Sequence, residues 1–402
     1  MRRRFCDYRF RMEMVLAVLL VMLLASARPA MALNGGASPG RFPDLDQQGT
    51  ELLYEFSQIL KDIEKGTDES FMKALDVSSA LADATGRLDA GEEEFRNAAR
   101  EKAEDLGREL VRKVNKCSRS RIVRVKKTDE SWLALARMDF GDSGFEYLDF
   151  ELAAALDGRL RIVDVVNYYT GLNLVETLRT AAIPYLKEES SYKLFFGDND
   201  GAASQTAEFF RDAGDGREEK AVADWRALPE EISARKEVLA TALAAASTAG
   251  LSKAYLEILK RAVDSHRDDP SMAWVAVDCG FLADDPQAAL KGLDRMEGVA
   301  GQDAFITAVK SEARSVAGQG DAAAALAERA VKQEPEMEEG HWALFMAYAA
   351  QGKFEKAVEK GKFLESEFGY RLEPDLLRRT DVFFRLTASP EYSKWRDALE
   401  ER

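Results

Sequence analysis

Between residues 52 and 186 the spacing of apolar positions changes period twice. Leu52, Leu53, Phe56, Ile59, Leu60 and Ile63 recur three and four apart, which predicts a helix closed by Gly66. Phe71, Leu75, Val77 and Leu81 predict a second, shorter helix ending at Gly86, and Phe95, Ala99, Leu106, Leu110 and Val114 a third over about 92–116. The period then becomes two. Residues 122–127, 131–140, 145–156 and 160–169 are β-branched or aromatic runs separated by turn signals at Asp129-Glu130, 141–144 and Asp157-Gly158, which predicts four antiparallel strands. In the second run Leu133, Leu135, Arg137 and Asp139 alternate with Trp132, Ala134, Ala136 and Met138. In the fourth, Leu160, Ile162, Asp164, Val166 and Tyr168 alternate with Val163, Val165 and Tyr169. Helices followed by a sheet partly apolar on both faces predict an α+β domain over 45–187, with helices packed on a curved four-stranded sheet. Residues 175–186 read as a helix leading away from it, and 188–201 as a linker.

Beyond residue 200 a turn residue recurs every 34 positions, as Gly216, Gly250, Asp284, Gly318 and Gly352. Five positions after each stand Ala221, Tyr255, Ala289, Ala323 and Ala357, and twelve after each stand Leu228, Ala262, Met296, Ala330 and Leu364. A small residue and then an apolar one at fixed offsets predict two antiparallel helices per repeat, hence an all-α helical-hairpin solenoid over 202–371, with capping helices over 372–402.

Two stretches carry a family resemblance: 347–357, through Gly352-Lys353-Phe354-Glu355-Lys356-Ala357, and Gly318 through Ala323, Ala327, Ala330 and Pro335. They resemble tetratricopeptide repeats, and the likeness extends over 202–371. The order of helices and curved sheet in the N-terminal domain resembles, more weakly, the cone-shaped nuclear transport factor 2-like superfamily. The whole chain looks like an exported bacterial protein pairing such a domain with tetratricopeptide repeats, an impression that Ser389-Pro390-Glu391-Tyr392 and Trp395 fit.

The N-terminus has its own pattern. Arg2, Arg3, Arg4, Arg9 and Arg11 precede an apolar run over 14–25 and then small residues, which is the layout of a secretory signal peptide. The run is shorter than the roughly 20 residues a spanning helix needs. Ala30-Met31-Ala32 supplies a small-x-small triplet, so residues 1–32 are the expected signal, with cleavage after Ala32, and 33–44 a linker. The expected destination is the periplasm or the exterior, with no stable membrane insertion after cleavage; an uncleaved signal serving as an anchor is the alternative.

Charge narrows the partners. The chain has a formal charge of −15; residues 1–32 hold six arginines against Asp7 and Glu13, so the remainder carries −19. Such acidity opposes the phosphate contacts that dominate nucleic-acid affinity. Arg108, Arg112, Lys113, Lys116, Arg119, Arg121, Arg124, Lys126 and Lys127 form the one basic stretch, read as a solvated face or a dock for an acidic surface. Cys6, Cys117 and Cys279 give no disulfide framework.

Candidate chemistry is sparse. His266 and His341 are the only histidines, and both lie in the repeats, so no histidine-based triad or zinc site is expected in the sheet domain. Residues 198–201 (Asp-Asn-Asp-Gly) misplace the glycine of a calcium loop and put Phe209 at its twelfth position. No metal or cofactor is expected. The reading that follows is an exported, non-catalytic scaffold that binds a protein or peptide in the groove of the repeats, with Phe209, Trp274, Trp342, Phe345 and Tyr348 as candidate groove residues. The competing reading is a ligand pocket or acid/base enzyme site in the cone-like domain built on Tyr147, Asp164 and Tyr168, because members of the resembled superfamily use an Asp base and a Tyr donor.

Overall fold

The computed structural model describes Phe42 and residues 45–86, 88, 92–114, 118–140, 144–197 and 201–400. The predicted signal, Cys117, the 141–143 turn and the 198–200 segment therefore lie outside the described residues. The described chain forms two compact units, one ending at Val275 and the other starting at Ala276.

The first unit opens with α1 (Gln47–Glu64), α2 (Glu69–Ala74), α3 (Val77–Thr85) and α4 (Glu93–Lys113). The single helix expected around Phe71 and Leu81 is two, because Leu75 is extended and bridges Ile162, while Asp76 N–H donates to the Ile162 carbonyl at 2.8 Å. The Asp76 carboxylate then caps α3 at Ser79 N–H. The strands follow as expected: β1 (Arg119–Lys127), β2 (Trp132–Asp139), β3 (Phe145–Ala154) and β4 (Leu160–Asn167), antiparallel in that order.

Trp132, Ala134, Ala136 and Met138 of β2 join Leu148, Phe150 and Leu152 of β3 in a core sealed by α1, where Phe56 meets Phe150 at 4.7 Å. At Gly49 an added Cβ would fall 2.6 Å from the Trp132 ring, so glycine lets α1 cross the sheet closely. Strict alternation fails in β4. A register shift pairs Leu152 with Ile162 but Glu151 with Asp164, so Ile162 enters the core while Asp164 turns to the outer face.

α5 (Leu174–Ala182) starts with a capping box between Asn173 and Glu176, and a 3₁₀ turn at Ile183–Tyr185 carries Pro184. The stretch read as a linker holds α6 (Glu189–Phe196), with Tyr192 and Phe196 buried. Hairpins follow: α7 (Ala202–Gly214) with α8 (Glu218–Ala227), then a short α9 (Glu230–Ser233), and α10 (Lys236–Thr248) with α11 (Ser252–Ser265).

α12 (Ala273–Leu282) carries the chain into the second unit and pairs with α13 (Pro286–Ala300). Their backbones meet at Gly280, where a Cβ would fall 2.2 Å from Ala289 N. α14 (Ala304–Val316) with α15 (Gly320–Gln333) and α16 (Glu338–Gln351) with α17 (Phe354–Phe368) complete the array. A capping segment closes it, with α18 (Pro374–Leu377), α19 (Phe384–Thr387) and α20 (Pro390–Glu400) packed around Phe345, Phe383 and Trp395.

The 34-residue frame is a backbone device. All five turn residues have positive φ, between 57° and 72°, and Asp284 is the only non-glycine among the described residues that does. In every turn the next N–H donates to the carbonyl five positions earlier: Arg217 to Asp212, Leu251 to Ala246, Asp285 to Gly280, Gln319 to Arg314 and Lys353 to Tyr348. This is the six-to-one bond that stops a helix with a left-handed residue. The apolar residue twelve after the turn is buried in all five hairpins. The small residue at offset five is buried in four. In the second hairpin Ala254 takes that place and Tyr255 is half-buried.

Candidate functional site

On the outer face of the sheet the three pocket candidates each have a structural partner. Tyr147 is buried under the Trp274 ring, with centroids 5.7 Å apart. Asp164 accepts from Val165 N–H at 2.8 Å and Leu174 N–H at 3.0 Å, so it ties β4 to the start of α5. Burial raises its carboxyl above the usual carboxylate range, against those two bonds. The Tyr168 hydroxyl donates to Asp149 Oδ2 at 3.5 Å, and burial pushes it up to about 12. Asp149, two residues after Tyr147 on β3, pairs with Arg124 deep in the face, where burial raises its carboxyl despite the guanidinium.

Much of the basic stretch is engaged inside this unit. Lys113 pairs with Glu146, Arg124 with Asp149, and Lys127 with Asp46 at 2.6 Å while lying over Trp132.

The groove candidates separate by burial. Phe209 is fully buried with its ring 4.8 Å from Phe210, and Phe345 is fully buried against Phe383 at 4.9 Å. Trp274 is half-buried on Tyr147. Trp342 is half-buried and stacks on Tyr370 at 5.5 Å, and the half-buried Tyr348 donates to Glu328 Oε1 at 3.3 Å.

Two acids that the sequence reading did not single out lie on the first helices of neighbouring hairpins. Asp278 and Glu312 stand six residues before Asp284 and Gly318, so they share one frame position. Both are half-buried, and desolvation pushes Asp278 up to about 7 and Glu312 up to about 8. The signal was available in the repeat: a charged residue at a fixed place before the turn, in a column otherwise filled by Phe210, Ala244 and Met346.

The carboxylates of Glu208, Asp212 and Asp224 approach one another within 4.8 Å, close enough to share a cation. Lys220 Nζ already stands 2.6 Å from Glu208 and 2.7 Å from Asp212, and Arg217 also pairs with Asp212. Although burial works against it, these hydrogen bonds hold Asp212 down to about 2. The Lys220 ammonium thus bridges two of the three carboxylates. Both histidines bond carbonyls: His266 Nε2 lies 2.7 Å from Ala234 O, and His341 Nε2 lies 2.7 Å from Pro335 O.

The α+β sheet followed by helix pairs in a 34-residue frame defines a protein built on a tetratricopeptide-like hairpin array. No protein-family model matches the chain, and no curated protein matches it. Among solved structures, MamA protein is similar at 17% identity over 44% of this chain and 99% of that chain, with a TM-score of 0.32. MamA MSR-1 is similar at 18% identity over 42% of this chain and 99% of its own, with a TM-score of 0.33. MamA AMB-1 is similar at 18% identity over 45% of this chain and 99% of its own, with a TM-score of 0.31.

Proposed function

We propose that this chain is an exported, non-catalytic scaffold that captures a protein partner on the first helices of its hairpin array. The observation that carries the reading is the array itself. Turns of one geometry close two helix pairs in the first unit and three in the second, and a surface built by such repetition suits an extended partner more than a small molecule. The occupied outer face of the sheet supports it further, since Tyr147, Asp164 and Tyr168 each serve a packing or capping contact. Export rests on the arginine-rich, apolar N-terminal pattern; among the described residues no helix is long and apolar enough to cross a membrane.

The test is capture from the envelope of the native host with the chain as bait, beside a Val316→Glu variant. Val316 is exposed on α14, one turn after Glu312, so the change alters the first-helix face without touching the core. Stoichiometric retention of one protein by the native chain and its loss in the variant is expected. Equal retention by both, or retention of none, sinks the reading.

A further inference from the structure

In the last hairpin Lys360 and Phe363 share a turn of α17, and α16 brings His341 to them. His341 Nε2 lies 2.7 Å from the Pro335 carbonyl oxygen. A carbonyl only accepts, so Nε2 carries the ring proton and Nδ1 keeps a bare lone pair. Lys360 Nζ stands 3.2 Å from that nitrogen and 4.4 Å from the centroid of the Phe363 ring. The His341 ring lies 4.7 Å from Phe363 and 5.7 Å from Phe368, and the two phenylalanines meet edge to face at 5.9 Å. An imidazole and two phenyl rings therefore gather around one amine.

Other lysines of the chain are held differently. Lys187 pairs with Glu94, and Lys220 with Glu208 and Asp212, and these carboxylates raise both amines above the ordinary lysine value. Among the described residues no carboxylate pairs with Lys360. Burial lowers its proton affinity, opposed by the charge of the adjacent Glu359. The Phe363 face favours an ammonium only weakly at a half-buried place. Lys360 is half-buried and Phe363 is exposed, so the amine is reachable from outside and partly shielded from water.

An amine with no carboxylate, beside a bare imidazole nitrogen, has the surroundings of a nucleophilic lysine. We propose that Lys360 is a reversible covalent attachment site for a small aldehyde, with His341 Nδ1 as its proton acceptor. The ammonium passes one proton to Nδ1, and the freed Nζ lone pair attacks the carbonyl carbon, forming the C–N bond while the carbonyl π pair goes to oxygen. A second amine proton moves to that oxygen. The C–O bond then breaks as the hydroxyl takes the proton from the imidazolium and leaves as water, which gives a protonated imine and restores the neutral ring. Nothing is oxidised or reduced. Because the walls are Phe363 and Phe368, an aromatic aldehyde fits better than a charged one. The inference goes beyond the scaffold reading and does not depend on it.

The test incubates the full chain at pH 7 with benzaldehyde below the lysine concentration and with cyanoborohydride, which traps imines that have formed, and follows each lysine by peptide mass spectrometry. Lys362, exposed on the same helix, is the reference. Lys360 should be trapped about fivefold faster or more, since each tenfold gain in free amine is one unit of proton affinity. His341→Gln supplies a side chain that accepts a hydrogen bond but takes up no proton, and should slow Lys360 about threefold with Lys362 unchanged. Phe363→Glu sets a carboxylate three residues after Lys360 on one helix face and should bring its rate down to about that of Lys362. Equal trapping of Lys360 and Lys362 in the native chain overturns the proposal, as does a Lys360 advantage that neither variant reduces. An advantage lost in Phe363→Glu but kept in a folded His341→Gln overturns proton transfer to Nδ1. If His341→Gln lowers the melting temperature sharply, Phe363→Glu decides, because Phe363 is exposed.

Discussion

The rings of Tyr147 and Trp274 lie 5.7 Å apart at an interplanar angle of 40°. A residue named for a pocket and a residue named for a groove are thus each other's packing partner, one from β3 and one from the start of α12. Replacing either ring by leucine should cost about 1–2 kcal/mol, and a double-mutant cycle should return a coupling of about 1 kcal/mol. Denaturant unfolding of the four proteins measures this, and strictly additive losses would show that the rings do not support one another.

The turn geometry predicts which substitutions the array tolerates. Gly318 has φ +72° and no atom near an added Cβ, so Gly318→Ala should cost about 1 kcal/mol from backbone strain alone. Asp284→Asn keeps a residue type suited to the left-handed region and should change stability by less than about 0.5 kcal/mol. Thermal melts of both variants settle the ordering.

Asp278 supplies a pH dependence with a definite sign. Its folded-state carboxyl is raised to about 7 while the unfolded one titrates near its ordinary value of 3.8, so between those values the folded chain binds more protons. Stability from this residue is therefore full below about pH 4 and is lost as pH rises towards 7. Asp278→Asn should flatten that slope and stabilise the chain at pH 8 by something on the order of 2 kcal/mol, discounted for partial exposure. A slope unchanged in the variant would refute the assignment.

His341 should act in the opposite sense on the acid side. Its Nε2 bonds the Pro335 carbonyl and Lys360 Nζ stands 3.2 Å from Nδ1, which fixes the neutral ring. Burial and then the Lys360 charge lower its proton affinity, so as pH falls below the ordinary 6.5 the unfolded chain takes up the proton first and stability falls. His341→Gln should show a smaller loss between pH 7 and pH 5 in melts followed by circular dichroism.

Asp164→Ala should lower stability by about 2 kcal/mol, because Leu174 and Val165 each lose the acceptor for a backbone N–H. If Asp164→Ala instead leaves unfolding unchanged, its capping role is refuted.

Periodicity made the strands, the long helices and the turn column readable, because each is a local rule repeated. Trp225, Leu259, Leu293, Ala327 and Gly361, nine residues after each turn, are buried in every hairpin. They escaped the reading because their side chains range from tryptophan to glycine. What depends on distant partners was illegible. The break at Leu75 needs Ile162, the register shift in β4 reverses an alternation that reads as regular, and the Arg396 ion pair draws on Glu365 some thirty residues away. Phe209 and Phe345 were recognisable as large aromatics on first helices, but nothing local distinguishes a ring that faces its own core from one that faces outward.

The turn column also sets how this half of the chain can change in size. Because each six-to-one bond closes within its own hairpin, cutting out residues 319–352 removes one whole period and leaves the flanking stops unchanged, while cutting a number that is not a multiple of the period shifts every later stop. Length here is quantised, like the rungs of a ladder, and lineages that resize the surface would do so by duplicating or losing whole genetic units of about a hundred bases.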